Sequence, residues 1–227
     1  MTPDLPQTEI AIVEMTNAFR AKQELGAVRR SRQLDVIARR YARFLAESGR
    51  FSHTADGRQP ADRATAGGYD YCQFAENLAS LLDSRGFRTR QLAREAVTGW
   101  ENSPGHRRNM LTPHSTEIGV GVAKAPGQSK FLAVQLYVWP GFRMRRMRIR
   151  NVSGRHVRYK LGPDNQRLPS RTEVTHTLCQ PAALTFPKAG LFSRNIASEF
   201  SVRNGDLFIV RRGSSGRIVV DHRPDVQ

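Results

Sequence analysis

The apolar period of this chain changes once, near residue 140, and that change restricts it to folds with two differently built parts. Leu34, Ile37, Ala38, Tyr41, Ala42, Leu45 and Ala46 recur at helical spacing. They form one face of an amphipathic helix, with Arg39, Arg40 and Arg43 turned elsewhere and Ser48–Gly49 as its stop. A helix over 10–25 is closed by Gly26. Another is expected over about 90–100, where Leu92, Ala93, Ala96, Val97 and Trp100 share a side. Between them lies a Gly- and Pro-containing loop, 56–69, with a short helix expected at 60–66. ENSPGH (101–106) is a breaker cluster. After it, IGVGVAKA (118–125) and KFLAVQLYVW (130–139) read as strands joined by APGQS. Helices followed by an antiparallel pair predict helices layered on a sheet.

Beyond residue 140 the apolar period becomes two. Strands are expected at 144–151, 156–162, 172–179, 182–186, 198–203, 206–212 and 216–220. Gly154, Gly162–Pro163, Asn204–Gly205 and Gly213–Ser214 punctuate them. Asn204-Gly205 between two apolar-rich runs is a strong hairpin signal. So many short strands in about 85 residues predict a small β-sandwich or barrel. The expected class is α+β: a helix–sheet domain over 1–140, then an all-β domain over 141–227.

Charge divides along the same line. The chain holds 36 Lys plus Arg against 20 Asp plus Glu, a net +16. Residues 1–140 carry 19 cations and 14 anions, whereas 141–227 carry 17 and 6. Of the cations 31 are Arg, the better donor to planar oxyanions, although a high Arg share also follows from genomic base composition. In the run Arg-Arg-Met-Arg-Ile-Arg (145–150), a strand places Arg146, Arg148 and Arg150 on one face and Met147 and Ile149 on the other. After a turn near Ser153–Gly154, Arg158 and Lys160 alternate with Val157, Tyr159 and Leu161. Paired as a hairpin, the two strands would present Arg146, Arg148, Arg150, Arg158 and Lys160 together. Such a face is either ordinary solvated surface or a docking patch for an anionic surface or polymer. Aromatic residues able to stack on bases are sparse, so specific nucleic-acid binding is not expected.

The longest apolar stretch, FLAVQLYVW (131–139), falls far short of the ~20 residues of a membrane span. MTPDLPQTEI has neither a basic region nor an apolar run, so no signal peptide is expected in this chain. Cys72 and Cys179 cannot build a disulfide framework; they make one bridge or are two buried thiols.

Three residues carry chemistry. His53 sits in FSHTADG, Glu76 in FAENLAS and His106 in WENSPGHRRNML. Two neutral imidazoles and a carboxylate suit a divalent cation such as zinc. They also suit general acid–base work. Singly, each fits a plainer role, as a hydrogen-bonded loop histidine or a first-turn glutamate of a helix. Ser103 lies three residues before His106, and Ser52 abuts His53. A serine nucleophile would need a base within hydrogen-bond reach and an oxyanion hole, and spacing establishes neither.

Five separated segments resemble the CAP superfamily (cysteine-rich secretory, antigen 5, pathogenesis-related 1), in its bacterial SCP-like branch. They are VEMTNAFRAKQELG (13–26), LDVIARRYARFLAESGRFSHTADG (34–57), AGGYDYCQFAENLAS (66–80), AVTGWENSPGHRRNML (96–111) and the strand pair EIGVGVA with FLAVQLYVW. The resemblance covers about 10–140. It implies an α–β–α sandwich with a central cavity, where His53, Glu76 and His106 take the places of residues that bind a divalent cation in some members. It also implies an extracellular or cell-envelope location. Ala75 departs from the usual Gly before the glutamate, and the cysteine pattern of secreted eukaryotic members is absent. Ser103 stands where the plant and animal branch has a second cavity Glu, and Glu101 lies about 200° around the helix from that place. Glu101 and Ser103 are the expected additional ligand contacts.

The function these readings imply is an extracytoplasmic binding protein whose His/Glu cavity holds a divalent metal, or a small apolar ligand or envelope component. The basic β-module would dock it to an anionic surface. The alternative is a metal-dependent or Ser–His hydrolase of the cell envelope acting through His53, Glu76 and His106.

Overall fold

Alternate residues of the run KFLAVQLYVW enter two different cores. Phe131, Ala133 and Tyr137 pack with Ile12, Phe19, Leu92 and Trp100, while Leu132, Val134, Leu136 and Val138 pack with Leu34, Ile37, Tyr41 and Leu45. A strand covered on both faces has no solvent side, which is why this segment is apolar but for Lys130 at its start and the buried Gln135. The computed structural model describes residues 1–141, 144–179, 181–186 and 198–225. The chain divides into two compact units, Met1–Phe142 and Arg143–Gln227.

The first unit contains α1 (Leu5–Lys22), β1 (Arg29–Arg30), α2 (Arg32–Ser48), α3 (Pro60–Ala66), β2 (Tyr71–Leu82), α4 (Thr89–Asn102), α5 (Pro104–Met110), β3 (Glu117–Lys124) and β4 (Lys130–Pro140). Its sheet has the order β1-β3-β4-β2. Helix α2 covers one face and α1 with α4 the other, giving α–β–α layers. The apolar stripe of α2 is buried as its period requires, and the helix stops at Gly49 in the left-handed region, φ 69°. Gly119 and Gly121 let α2 lie on β3. A Cβ at these positions would stand 2.3 Å from Leu34 Cβ and 2.2 Å from the Arg39 nitrogen.

Three local expectations change. Helix α1 begins earlier than its apolar pattern indicates, because Asp4 caps it through the Gln7 N–H and Pro6 fits its first turn. Glu76 lies within strand β2, opposite Leu136 of β4, rather than at a helix start. Pro104 does more than break α4, since it opens α5, on which His106 rides.

The second unit contains β5 (Arg145–Asn151), β6 (Val157–Leu161), β7 (Asp164–Leu168), β8 (Thr172–Leu178), β9 (Ala183–Phe186), β10 (Ser198–Ser201), β11 (Leu207–Arg212) and β12 (Ile218–Arg223). These form two four-stranded sheets, β12-β11-β5-β8 and β10-β9-β6-β7. Met147, Ile149, Phe208 and Val210 from one sheet meet Tyr159, Leu161, Leu184 and Phe186 from the other in a single core, so the unit is a β-sandwich.

Strands β5 and β6 therefore do not form the expected hairpin. Strand β5 lies between β8 and β11, and β6 between β7 and β9. Both strands are needed on the same core from opposite sides. Nor does Asn204-Gly205 close a hairpin. Strand β10 pairs with β9, and β11 with β5 and β12, so the turn crosses between sheets. It is anchored to β5 by Arg146 N–H to Asn204 Oδ1 (2.8 Å) and Gly205 N–H to Arg146 O (2.7 Å). Neither Cys72 nor Cys179 is a free thiol.

Candidate functional site

The Glu76 side chain is 1% exposed, so its carboxylate has to find its compensation inside the protein. Its Oε1 accepts from His53 Nδ1 at 2.8 Å and its Oε2 from Arg63 Nη2 at 2.8 Å. Arg63, on α3, is itself held from several directions. Nη1 donates to Asp56 Oδ1 (2.9 Å) and Arg58 O (3.1 Å), and Nη2 also reaches His53 O (3.0 Å). The guanidinium carbon lies 3.4 Å from the Tyr41 ring centroid. The Tyr41 hydroxyl donates to Ser52 O and accepts from the Ala55 N–H at 3.2 Å, bracing the loop that carries His53. Burial pushes the Tyr41 pKa up and keeps it a donor. With a carboxylate accepting at Nδ1, that nitrogen of the half-exposed ring carries the hydrogen.

His106 is positioned by amides. Asn77 Nδ2 donates to His106 O (3.2 Å), and Asn109 Nδ2 donates to Asn77 Oδ1 (2.9 Å) and Glu76 O (3.3 Å), tying α5 to β2. Asn77 also donates to Gln135 Oε1 (3.1 Å), and Gln135 Nε2 to Thr16 Oγ1 (2.9 Å), all fully buried. The network thus fixes α1, β4, β2 and α5 in one register. Burial pushes the His106 pKa down, and the charge of His53 adds to the effect. Burial thus favours the neutral imidazole at His106.

A groove of about 720 Å³ runs beside this site between β2 and α4, lined by Phe51, Leu78, Leu81, Trp100, Ser103 and His106 among others. Ser103 sits where α4 ends and α5 begins. Glu101 is part-exposed on α4 and is not among the groove's lining residues. Among the described residues no hydrogen bond joins Ser103 to His106 or Ser52 to His53. Ser52 Oγ instead accepts from the Thr54 N–H at 3.2 Å. Also among the described residues, no group of three His, Cys, Asp or Glu is placed to hold a metal ion. The arrangement differs from a three-ligand cluster because Arg63, which nothing in the apolar pattern marks as buried, occupies the second oxygen of Glu76. Glu76 stands behind His53.

The five cations expected on one face lie on two. Arg146, Arg148 and Arg150 point outward from one sheet of the sandwich, and Arg158 and Lys160 from the other. Because the sheets share a core, the two rows face opposite ways, which corrects the single five-cation face. Register adds Arg211 and Arg223 to the first face, with Leu207 and Ile209 between the rows. Glu173 pairs with Arg150 (2.6 Å) and Arg148 (3.6 Å), and Asp221 with Arg211 (3.0 Å). That face still holds more guanidinium than carboxylate groups. On the other, Arg158 stands opposite Arg167 and Lys160 opposite Asn165.

The first unit is thus three layers, α–β–α, with a carboxylate-braced histidine beside a groove. The profile of the CAP, cysteine-rich secretory protein family matches residues 13–137, and the chain belongs to that family. Bacillus subtilis YkwD is 34% identical over 118 residues, which is 52% of this chain and 43% of that protein. The B. subtilis membrane protein YlbC is 31% identical over 117 residues, 51% of this chain and 31% of that protein. The chain spans less than half the length of these curated relatives. An outer surface protein of Borrelia burgdorferi, 22% identical, shares the fold with a TM-score of 0.52, over 59% of this chain and 92% of that one. Among the described residues no helix is long and apolar enough to cross a membrane.

Proposed function

We propose that the first unit is an extracytoplasmic binding domain in which His53 Nε2 and His106 hold a divalent cation, zinc by donor type. The adjoining groove then takes a small apolar ligand or the apolar part of an envelope component. The observation that carries this reading is the hydrogen bond from His53 Nδ1 to Glu76. Metal-ligating imidazoles commonly donate their other N–H to a carboxylate, which fixes the ring and raises its basicity. Arg63, by holding the second oxygen, keeps Glu76 in that supporting role. Neutral imidazole is the ligating form, and burial favours it at His106. Two protein donors leave open positions, so affinity is lower than at a closed four-ligand site. Bound zinc would supply a Lewis acid beside the groove.

Ser103 and His106 line the same groove, but the absence of a bond between them favours binding over hydrolysis. Isothermal titration of the full chain with Zn²⁺ tests the reading. His53→Ala and His106→Ala should each abolish binding, and Glu76→Gln should weaken it roughly 10–100-fold. Binding should fade below about pH 6, as imidazoles protonate. Unchanged zinc binding in both histidine variants would reject the site, and ester hydrolysis lost with His106→Ala would establish the hydrolase.

The sandwich supports docking to an anionic envelope surface through the Arg146, Arg148, Arg150, Arg211 and Arg223 face. Changing the first three to Ser should lower affinity for anionic vesicles roughly a hundredfold.

A further inference from the structure

Arg63 also lines a second cleft, between α2 and α3, that neither Glu76 nor His53 enters. It has a volume of about 220 Å³, and its walls include Ile37, Tyr41, Phe44, Arg40 and Arg58. We infer that this cleft binds a small organic anion, a carboxylate carried on a flat apolar body.

Charge is the first ground. Three guanidinium groups and one carboxylate, Asp56, line the cleft. Asp56 Oδ1 is already used by Arg63 Nη1 (2.9 Å) and the Arg58 N–H (3.2 Å), and Arg63 is further satisfied by Glu76. Among the described residues no carboxylate pairs with the side chain of Arg40 or Arg58. Arg40 and Arg58, both exposed, line one concavity, where an anion between them would offset their like charge. Their planar donor forks match a carboxylate.

Shape is the second ground. The Tyr41 and Phe44 rings are parallel to within 5°, with centroids 6.2 Å apart. Beneath them α3 ends tightly on α2: a Cβ at Gly67 would stand 2.7 Å from Ile37 Cδ1. Ile37, Tyr41 and Phe44 thus give a fixed floor on which the buried Arg63 guanidinium is stacked, while the exposed Arg40 and Arg58 sit at the rim. A free inorganic anion would make no use of such a floor.

The site is separate from the His53–His106 reading and does not depend on it. The test is titration of the ¹⁵N-labelled full chain with sodium benzoate, with acetate and benzyl alcohol as controls. Benzoate should shift the backbone signals of Arg58, Ala66 and Gly67 saturably, at concentrations roughly tenfold below either control. Arg40→Gln with Arg58→Gln should raise the half-saturation point roughly tenfold and leave zinc binding unchanged. Should the double variant lose its native spectrum, Arg58→Gln alone and Phe44→Leu read the two grounds separately, each weakening benzoate. Parity of benzoate with benzyl alcohol would overturn the role of charge, and with it the proposal. Parity with acetate would overturn the apolar floor, and insensitivity to the arginine changes would place benzoate elsewhere.

Discussion

The two units differ in how much charge they bury. In the first, Glu9, Arg20, Asp35, Arg63, Glu76 and Glu117 are all buried. Each is compensated internally: Glu9 by Arg30 and Arg39, Asp35 by Arg30 and the Val120 N–H, and Arg20 by the carbonyls of Gly26 and Met110. In the second, Asp206 is the one buried charged residue among those described, while arginine rows stand outside both sheets. Net charge, larger in the second unit, therefore says little about which unit depends on charge to fold. Inside, a lost partner strands a desolvated ion. Outside, water and salt replace it, and the charge is left to act on other molecules.

The largest expected effect is at Arg63. Replacing it with Ala leaves the Glu76 carboxylate buried with His53 as its remaining charged or polar side-chain partner. Removal of one member of a buried pair costs about 3–5 kcal/mol. Urea unfolding of the first unit should register that loss. A cost no greater than that of an exposed arginine would break the comparison, because Glu76 would then have found solvent. Gln135→Leu tests the neutral part of the same interior. It leaves Thr16 and the Asn77 amide without a bond each, and should cost about 1–3 kcal/mol.

A smaller effect sharpens the contrast in the second unit. His176 accepts from or donates to the Tyr159 hydroxyl at 2.7 Å, and burial pushes its pKa down. Burial pushes the Tyr159 pKa up, so the hydroxyl is the donor and the imidazole the neutral acceptor. A histidine whose folded pKa is depressed contributes stability that is present above the unfolded value, about 6.5, and lost as pH falls through the folded value. The sandwich should therefore weaken between pH 7 and 5. His176→Gln should flatten that slope, and an unchanged slope would mean the ring is already solvated.

How much of this was legible in the sequence depended on the kind of constraint. The α2 stripe and the β4 run were legible because burial repeats at the period of the element itself. Alternation in β5 and β6 identified which side chains face inward. It could not identify the neighbouring strand, since any partner with the same alternation satisfies the same face. Strand β7, DNQRL, has four exposed residues of five and leaves no apolar signal. His53, Glu76 and His106 were singled out by residue type and by motifs resembling the family's, because they sit on a loop, on β2 and on α5 and no period links them. Arg63 was missed because a buried arginine and a surface arginine look alike until the carboxylate it serves is placed.

The smallest expected effect is on folding by the outer arginines. Arg146, Arg148 and Arg150 stand exposed on β5, and the nearest acid, Glu173, is also at the surface, where Arg150 holds its carboxyl below the usual range. Pairs of this kind contribute little, because water competes for both partners and salt screens them. Changing all three to Ser keeps the strand's inward residues, Met147 and Ile149, in the core. It also relieves repulsion along the row, which opposes the lost pairing with Glu173. The two terms have opposite sign, so the thermal midpoint of the sandwich should stay where it is while vesicle binding falls. A clear drop in midpoint would show that these cations hold the sheet together. The contrast between an interior built on charge and a surface merely decorated with it would then fail.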